Sequence, residues 1–324
     1  MKPWVGADSV GYTVGAVPSS WLFNGTTAIE FTYPIVVKNW ISPRCTVASI
    51  LGLNITLASP CGLFLHSRQE GAALVAPAVI EAAPVFPLAP GTFFHDVSGG
   101  ALYYALASGQ SAADLATSAF IAAQEVLLDA VNVSGHVYQG LQFVFGSWSQ
   151  VNTRDGYVDT QAAVYECSPG SERCATGLAL PPGISTASGS GVPTGSAEPL
   201  GNVRVSGGEN CAFEGCTFAH LGAAYALSVV GGSHAVQVFN NTFYDLSGGF
   251  LKLGSINPTG HAGSADPAVW DSFADITHNV ASNLAKEYDG AAGYFGGFLF
   301  SARVEHNTVS DAGYSGFSQG WGAS

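Results

Sequence analysis

The chain has 324 residues, with 10 Lys and Arg against 23 Asp and Glu, a formal charge of −13. That length suits one large domain or two ordinary ones, and the acidity argues against a nucleic-acid partner, because phosphate binding needs a basic surface. Charged residues are only 10% of the chain while glycine is abundant at 41, a balance that suits a compact parallel stack of strands with small residues at many tight corners.

In chain order, residues 1–65 are predicted to form short strands. These are Gly11-Tyr-Thr-Val14, Ala28-Ile-Glu-Phe-Thr-Tyr33 and a hairpin bracketed by Cys45 and Cys61 that folds near Gly52-Leu53. The two cysteines sit symmetrically about that turn, as a cross-strand disulfide requires. Cys167 and Cys174 are spaced to close a surface loop. Cys211 and Cys216 are harder to join, because an extended five-residue span of roughly 16 Å exceeds disulfide reach without a bend. None of these six cysteines has zinc-finger spacing with histidine partners, so no structural metal is expected.

Residues 70–88 are rich in Ala, Val and Pro and have no clean period. Phe93-Phe-His-Asp-Val97 and Ala101-Leu-Tyr-Tyr104 surround Ser98-Gly-Gly100 and read as a second hairpin. Residues 111–123 are compatible with a helix and equally with a loop and strand. The run Val137-Tyr-Gln-Gly-Leu-Gln-Phe-Val-Phe145 reads as a strand and an early rung of a solenoid. Residues 166–201, dominated by Ser, Gly, Pro and Ala, read as a long surface loop. The expected division is a β-rich domain over 1–130 and a solenoid over 131–324.

The solenoid expectation rests on residues 203–322, where one short pattern is written four times: Phe213-Glu-Gly-Cys-Thr-Phe218, Val238-Phe-Asn-Asn-Thr-Phe243, Ile276-Thr-His-Asn-Val-Ala281 and Val304-Glu-His-Asn-Thr-Val309. Each copy is followed by a small-residue turn and a second apolar run. Repeats of this size signal a solenoid, and period-two strands broken by glycine turns make it a β-solenoid. Residues 255–275 insert a loop carrying His261, Asp266, Trp270 and Asp271, and such loops commonly wall a binding face. The sequence stops at Trp321-Gly-Ala-Ser324, in mid-rung and without a polar cap, so a fragment of a longer protein is expected.

Four glycosylation sequons, at Asn24, Asn54, Asn132 and Asn240, join the cysteines in favouring a secreted or extracellular setting. Met1-Lys-Pro-Trp4 lacks the apolar run of a signal peptide, which is expected to have been lost with a truncated N-terminus. No run of about 18 apolar residues is present, so no membrane span is expected.

These segments together resemble the right-handed parallel β-helix proteins of the pectin-lyase-like superfamily, and within it the group related to family 141 of the glycoside hydrolases. The resemblance is carried by Ala28-Ile-Glu-Phe31 with Trp40, Arg44-Cys-Thr-Val-Ala-Ser-Ile50, Ile55-Thr-Leu-Ala-Ser-Pro-Cys61 and Pro90-Gly-Thr-Phe-Phe-His-Asp96. Leu102-Tyr-Tyr104, Trp148 with Gly156-Tyr-Val-Asp-Thr-Gln161, Phe218-Ala-His-Leu-Gly222 and Glu287-Tyr-Asp-Gly290 extend it, and 306–322 completes it. It implies an all-β fold: a parallel β-helix with an N-terminal inserted β-domain. The pattern departs from the group at Cys216, which replaces an asparagine of the first repeat.

Strands in neighbouring coils lie about 4.8 Å apart, so each repeat position becomes a vertical column. Cys216, Asn241, Asn279 and Asn307 form one column, predicted to hydrogen-bond from coil to coil. Phe218, Phe243, Ala281 and Val309 form a core column. His220, Asp245, Asn283 and Asp311 form a polar column.

Asp245 and Asp311, two coils apart, have backbones roughly 9.6 Å apart, at the upper edge of the roughly 6.5–9.5 Å carboxyl separation of an inverting glycosidase. Glu287, at the start of the second run of the intervening coil, can pair with Asp245 at the closer retaining spacing. Asp245, Glu287 and Asp311 are therefore the candidate catalytic carboxylates, each also readable as a turn cap. His220, Lys252, Tyr288, His306, Tyr314 and Trp321 are the candidate substrate contacts, with aromatic faces suited to the C–H surfaces of a pyranose.

Other chemistries fit less well. A pectate-lyase-type mechanism needs a calcium-binding acidic cluster that the repeats lack. A polygalacturonase pattern is replaced by Asn241-Thr-Phe243 and Gly260-His-Ala262, and no nucleophile elbow is present. The expected function is hydrolysis of an extracellular polysaccharide without cofactor or metal. The other expectation is a non-catalytic glycan-binding or cell-surface structural module.

Overall fold

The computed structural model describes residues 4–5, 9–12, 29–33, 42–58, 76–82, 88–96, 99–149, 157–161, 164–166, 196–197, 199–256, 266 and 269–320. Cys61, Cys167, Cys174, Asn24, His261, Trp321 and most of the 166–201 stretch lie outside the described residues. The chain divides into two compact units. One comprises Met1–Val37, Pro43–Ile121 and Val151–Tyr157; the other comprises Lys38–Ser42, Ala122–Gln150 and Val158–Ser324.

The first unit is antiparallel. Ser42–Leu51 turns back onto Asn54–Leu57 with Leu51 opposite Asn54, so the expected hairpin closes through Gly52 (φ 58°) and Leu53. Glu30–Thr32 pairs with Ser42–Leu51 on one side and with Val79–Glu81 on the other. Its buried residues include Ile29, Phe31, Cys45, Val47, Ile50, Ile55 and Leu57. Among them the hydroxyls of Tyr12 and Tyr33 meet at 2.9 Å. Burial, the largest influence on each, pushes both phenols well above the usual tyrosine range.

Phe93–Asp96 and Ala101–Tyr104 form the second expected hairpin, its turn tied by Gly99 N–H donating to Asp96 Oδ1 at 2.8 Å. Between helix and loop for 111–123, local chemistry decides. Ser111 caps Ala112–Ser118 and Asp114 bonds back to the Ser111 backbone, a reciprocal capping box.

The second unit contains three parallel sheets wound as successive coils. The first sheet stacks Leu128–Val131, Val203–Ser206, Tyr225–Val230, Gly249–Gly254, Tyr294–Gly297 and Phe317–Gly320. The second stacks Val137–Gln139, Ala212–Glu214, Gln237–Phe239, Asp275–Thr277 and Arg303–Glu305. The third stacks Gln142–Gly146, Thr217–Leu221, Thr242–Leu246, Val280–Leu284 and Thr308–Ala312. Each sequence repeat thus straddles the corner between the second and third sheets, and each second apolar run supplies the first sheet of the next coil. The run 137–145 is not one strand: Gly140, at φ 65°, splits it at that corner.

The corner is held by the asparagine column. Asn241 Oδ1 accepts from Cys216 N–H at 2.8 Å, Asn279 Oδ1 from Asn241 N–H at 2.9 Å, and Asn307 Oδ1 from Asn279 N–H at 2.9 Å. The amide groups run the other way as well, Nδ2 of Asn241, Asn279 and Asn307 donating to the carbonyls of Phe213, Val238 and Ile276 one coil back. Cys216 ends the ladder and keeps its logic, since its Sγ lies 3.3 Å from the Tyr138 carbonyl, the next position down. Cys211 and Cys216, whose spacing made a bridge hard to form, are both buried free thiols.

Inside, Phe218 stacks on Phe243 at 4.5 Å between ring centroids, and the predicted core column of Phe218, Phe243 and Ala281 is buried to 1% exposure or less. Val309 is partly buried against it.

Two outcomes are expected. Asn279→Ala strands the Asn241 N–H and the Val238 carbonyl in the interior and should cost about 3 kcal/mol by denaturant titration. Above about pH 10, where unfolded tyrosines ionise, the protonated Tyr12–Tyr33 pair makes stability fall with rising pH, because the unfolded chain then binds fewer protons. Tyr12→Phe should make that fall shallower between about pH 9 and 11, measured from unfolding midpoints.

Candidate functional site

The polar column arises from a break in strand alternation. In Thr242–Leu246, Phe243 and Leu246 are buried while Tyr244 and Asp245 between them are exposed. Two outward residues between two inward ones require a bend, and the bend is a left-handed residue. Phe145, His220, Asp245, Asn283 and Asp311 occupy that position in the five coils with φ of 58°, 54°, 54°, 56° and 52°. The ladder register skips them, pairing Ala219 with Tyr244 and then Leu221 with Leu246. Short polar residues tolerate this conformation best, which accounts for much of the column's composition.

The bend turns these side chains outward into mutual contact. His220 Nδ1 donates to Asp245 Oδ2 at 2.6 Å, and Asn283 Nδ2 donates to Asp245 Oδ1 at 2.9 Å. The carboxylate is gripped from the coils on either side while its side chain remains 48% exposed. The His220 ring is packed flat against Phe145 at 5.1 Å and edge-on to Tyr244 at 5.4 Å. One coil beyond Asn283, Asp311 Oδ2 accepts from Lys286 Nζ at 2.9 Å. An oriented acceptor, with a second carboxylate and its cation two coils further along the same sheet, is an arrangement able to accept protons and hold hydroxyl-bearing ligands.

Glu287 lies earlier than its expected place in the strand run. It sits in the turn leading to Tyr294–Gly297, exposed, with its N–H bonded to the Ser247 carbonyl at 3.2 Å, beside the coil that carries Asp245. The expected substrate contacts divide. His220 is in the column, and His306 is exposed, its ring 4.9 Å from that of His278. Tyr314 is 36% exposed.

Lys252 and Tyr288 are buried instead, at 2% and 5%. Lys252 sits on the first sheet with Nζ 6.0 Å from the Phe295 ring centre. Tyr288 packs edge-on against Trp148 and donates its hydroxyl to the Gly222 carbonyl at 3.1 Å, so its ring offers no face to a sugar. Tyr294 is likewise interior, and burial pushes its phenol well above the usual range.

Phe145 and Tyr244 were not legible as neighbours of His220. The first coil carries Leu141 where the other coils carry cysteine or asparagine, so it escaped the repeat pattern. The signal for it was the spacing of Phe143 and Phe145 from that position. No group of three or more His, Cys, Asp or Glu side chains able to hold a metal ion occurs among the described residues. Likewise, no helix among them is long and apolar enough to cross a membrane.

No family profile and no curated protein matches the sequence. A solved structure described as a glycoside hydrolase superposes with a TM-score of 0.72 over 97% of this chain, at 19% identity. The three stacked sheets and that superposition define the class: an all-β parallel β-helix. The chain is similar in fold to that glycoside hydrolase and spans about half of it, 54% of its length.

The left-handed column separates backbone tolerance from side-chain chemistry. Asp245→Val should lose about 2 kcal/mol from the φ of 54° alone, whereas Asp245→Gly and Asp245→Asn should stay within about 1 kcal/mol of the parent. Urea titration of the three variants checks this.

Proposed function

We propose that the protein is a carbohydrate-active enzyme that hydrolyses glycosidic bonds in a complex extracellular polysaccharide, with the outward strip of the third sheet as its working face. The observation that carries this reading is the grip on Asp245, whose two oxygens accept from His220 and Asn283 while the group stays open to solvent. A carboxylate built as an acceptor at both oxygens suits the base or nucleophile of a glycosidase. Asp311, bonded to Lys286, is likewise built as an acceptor. Glu287, exposed in the adjoining turn, then takes the role of the acid that protonates the leaving oxygen.

Asp311 and Lys286, with exposed His306 and Tyr314, contribute polar and aromatic contacts along the same end of the coils. The fold shared with a solved glycoside hydrolase supports this chemistry. An extracellular setting is consistent with exposed sequon asparagines at Asn54, Asn132 and Asn240. A non-catalytic glycan-binding or structural module is the second reading, and it is favoured by one observation. All five column residues adopt left-handed geometry, and three of them, Asp245, Asn283 and Asp311, are the short polar side chains that the bend itself favours.

Release of reducing ends from a panel of polysaccharides separates the two. Asp245→Asn and Glu287→Gln are expected to lower the rate by about 10²-fold or more, and Asp311→Asn by less. Hydrolysis untouched by all three substitutions removes the site assignment, and retention of a polysaccharide without any product favours the module.

A further inference from the structure

The hairpin of the first unit presents a face that its own core does not use. Phe93 stands opposite Tyr104, and His95 opposite Leu102, so these four side chains share one side of the ladder. All four are exposed: Phe93 is 67%, Leu102 47% and Tyr104 36% accessible. The face is also held rigid. Tyr104 donates its hydroxyl to Gln110 Oε1 at 2.9 Å, and the same oxygen accepts from Ala107 N–H at 3.1 Å, so the ring is fixed by a side chain that is itself fixed. On the opposite side Phe94 stacks on Tyr103 at 6.2 Å and stiffens the pair of strands.

We infer that Phe93, His95, Leu102 and Tyr104 form a binding platform for a neutral polysaccharide chain, separate from the carboxylate strip. Four side chains are far short of the roughly 20–30 residues per side of a stable protein interface. The face has no lysine or arginine, and the chain carries −13, which disfavours nucleic acid, anionic lipid and acidic glycans alike. What remains complementary is a ligand with flat apolar C–H faces rimmed by hydroxyls. Two opposed aromatic rings supply the stacking, and His95 and Gln110 stand at the rim to bond hydroxyls. The inference rests on the carbohydrate reading above, but on different residues in a different unit.

Affinity electrophoresis of the full chain through gels containing hydroxyethyl cellulose, xylan, galactomannan or polygalacturonate tests it. Retention by at least one neutral gel and not by polygalacturonate is expected. Phe93→Ala with Tyr104→Ala should raise the apparent Kd by about tenfold, with the fold retained and the unfolding midpoint slightly lowered by loss of an exposed cross-strand pair. Tyr104→Phe, which keeps the ring and drops the Gln110 bond, should fall between.

Retention undiminished by the double substitution overturns the platform, as does retention by polygalacturonate alone or by no gel. A parent chain that sediments as a dimer and becomes monomeric in the double variant also overturns it, making the face a contact between copies. The Phe93→Ala, Tyr104→Ala variant should keep its release of reducing ends from short soluble oligosaccharides, which Asp245→Asn and Glu287→Gln lower, so the carboxylate assignment and the platform fail independently.

Discussion

Everything in the second unit depends on one constraint, the spacing of about 4.8 Å between parallel strands of successive coils. At that distance a side chain cannot ignore the one above it, and each position must be compatible with a stack of its own kind. Aromatics answer by lying flat on one another, as Phe218 does on Phe243. Asparagines answer by bonding both to the backbone and to the next asparagine. Corner positions take left-handed backbone in coil after coil, with Gly140, Gly215, Asn240, His278 and His306 in one such column. The fold is in this sense a set of one-dimensional crystals, each a few residues long.

The outward strip shows how structural and chemical demands share the same residues. The bend needs a left-handed residue, the left-handed region favours short polar side chains, and the bend then points those side chains at each other outside the coil. A histidine, an aspartate and an asparagine placed there for backbone reasons become a hydrogen-bonded line without further design. Phe145 and His220 show that the position also admits larger rings when they can stack on one another.

Legibility in the sequence obeys the same physics. The coils from 203 onward were legible because they repeat, and the ladder was legible because asparagine at a fixed place in each repeat is what coil-to-coil hydrogen bonding demands. The coil at 128–146 was legible only as a rung, since Leu141 replaces the ladder residue and Gly140 breaks the run within it. Burial of Lys252 and Tyr288 was not legible, because a lysine in an apolar run and a tyrosine after a glutamate look outward from composition alone. The partners that cover them come from elsewhere in the chain: Tyr288 packs against Trp148, which is 140 positions earlier by residue number. The two hairpins of the first unit were open to reading because their signals are local, whereas 111–123 stood undecided between helix and loop until the Ser111–Asp114 capping box decided it.

The ladder also records where the chain has been free to change length. From Cys216 to Asn241 the separation is 25 residues, from Asn241 to Asn279 it is 38, and from Asn279 to Asn307 it is 28. Every one of those differences is absorbed away from the ladder corner, where strands of the second and third sheets are always joined by two residues. One corner of the coil therefore behaves as a fixed hinge pin and the others as open ends to which new sequence can be added. New binding loops can be acquired or exchanged there, one coil at a time, without disturbing the register of the coils above and below.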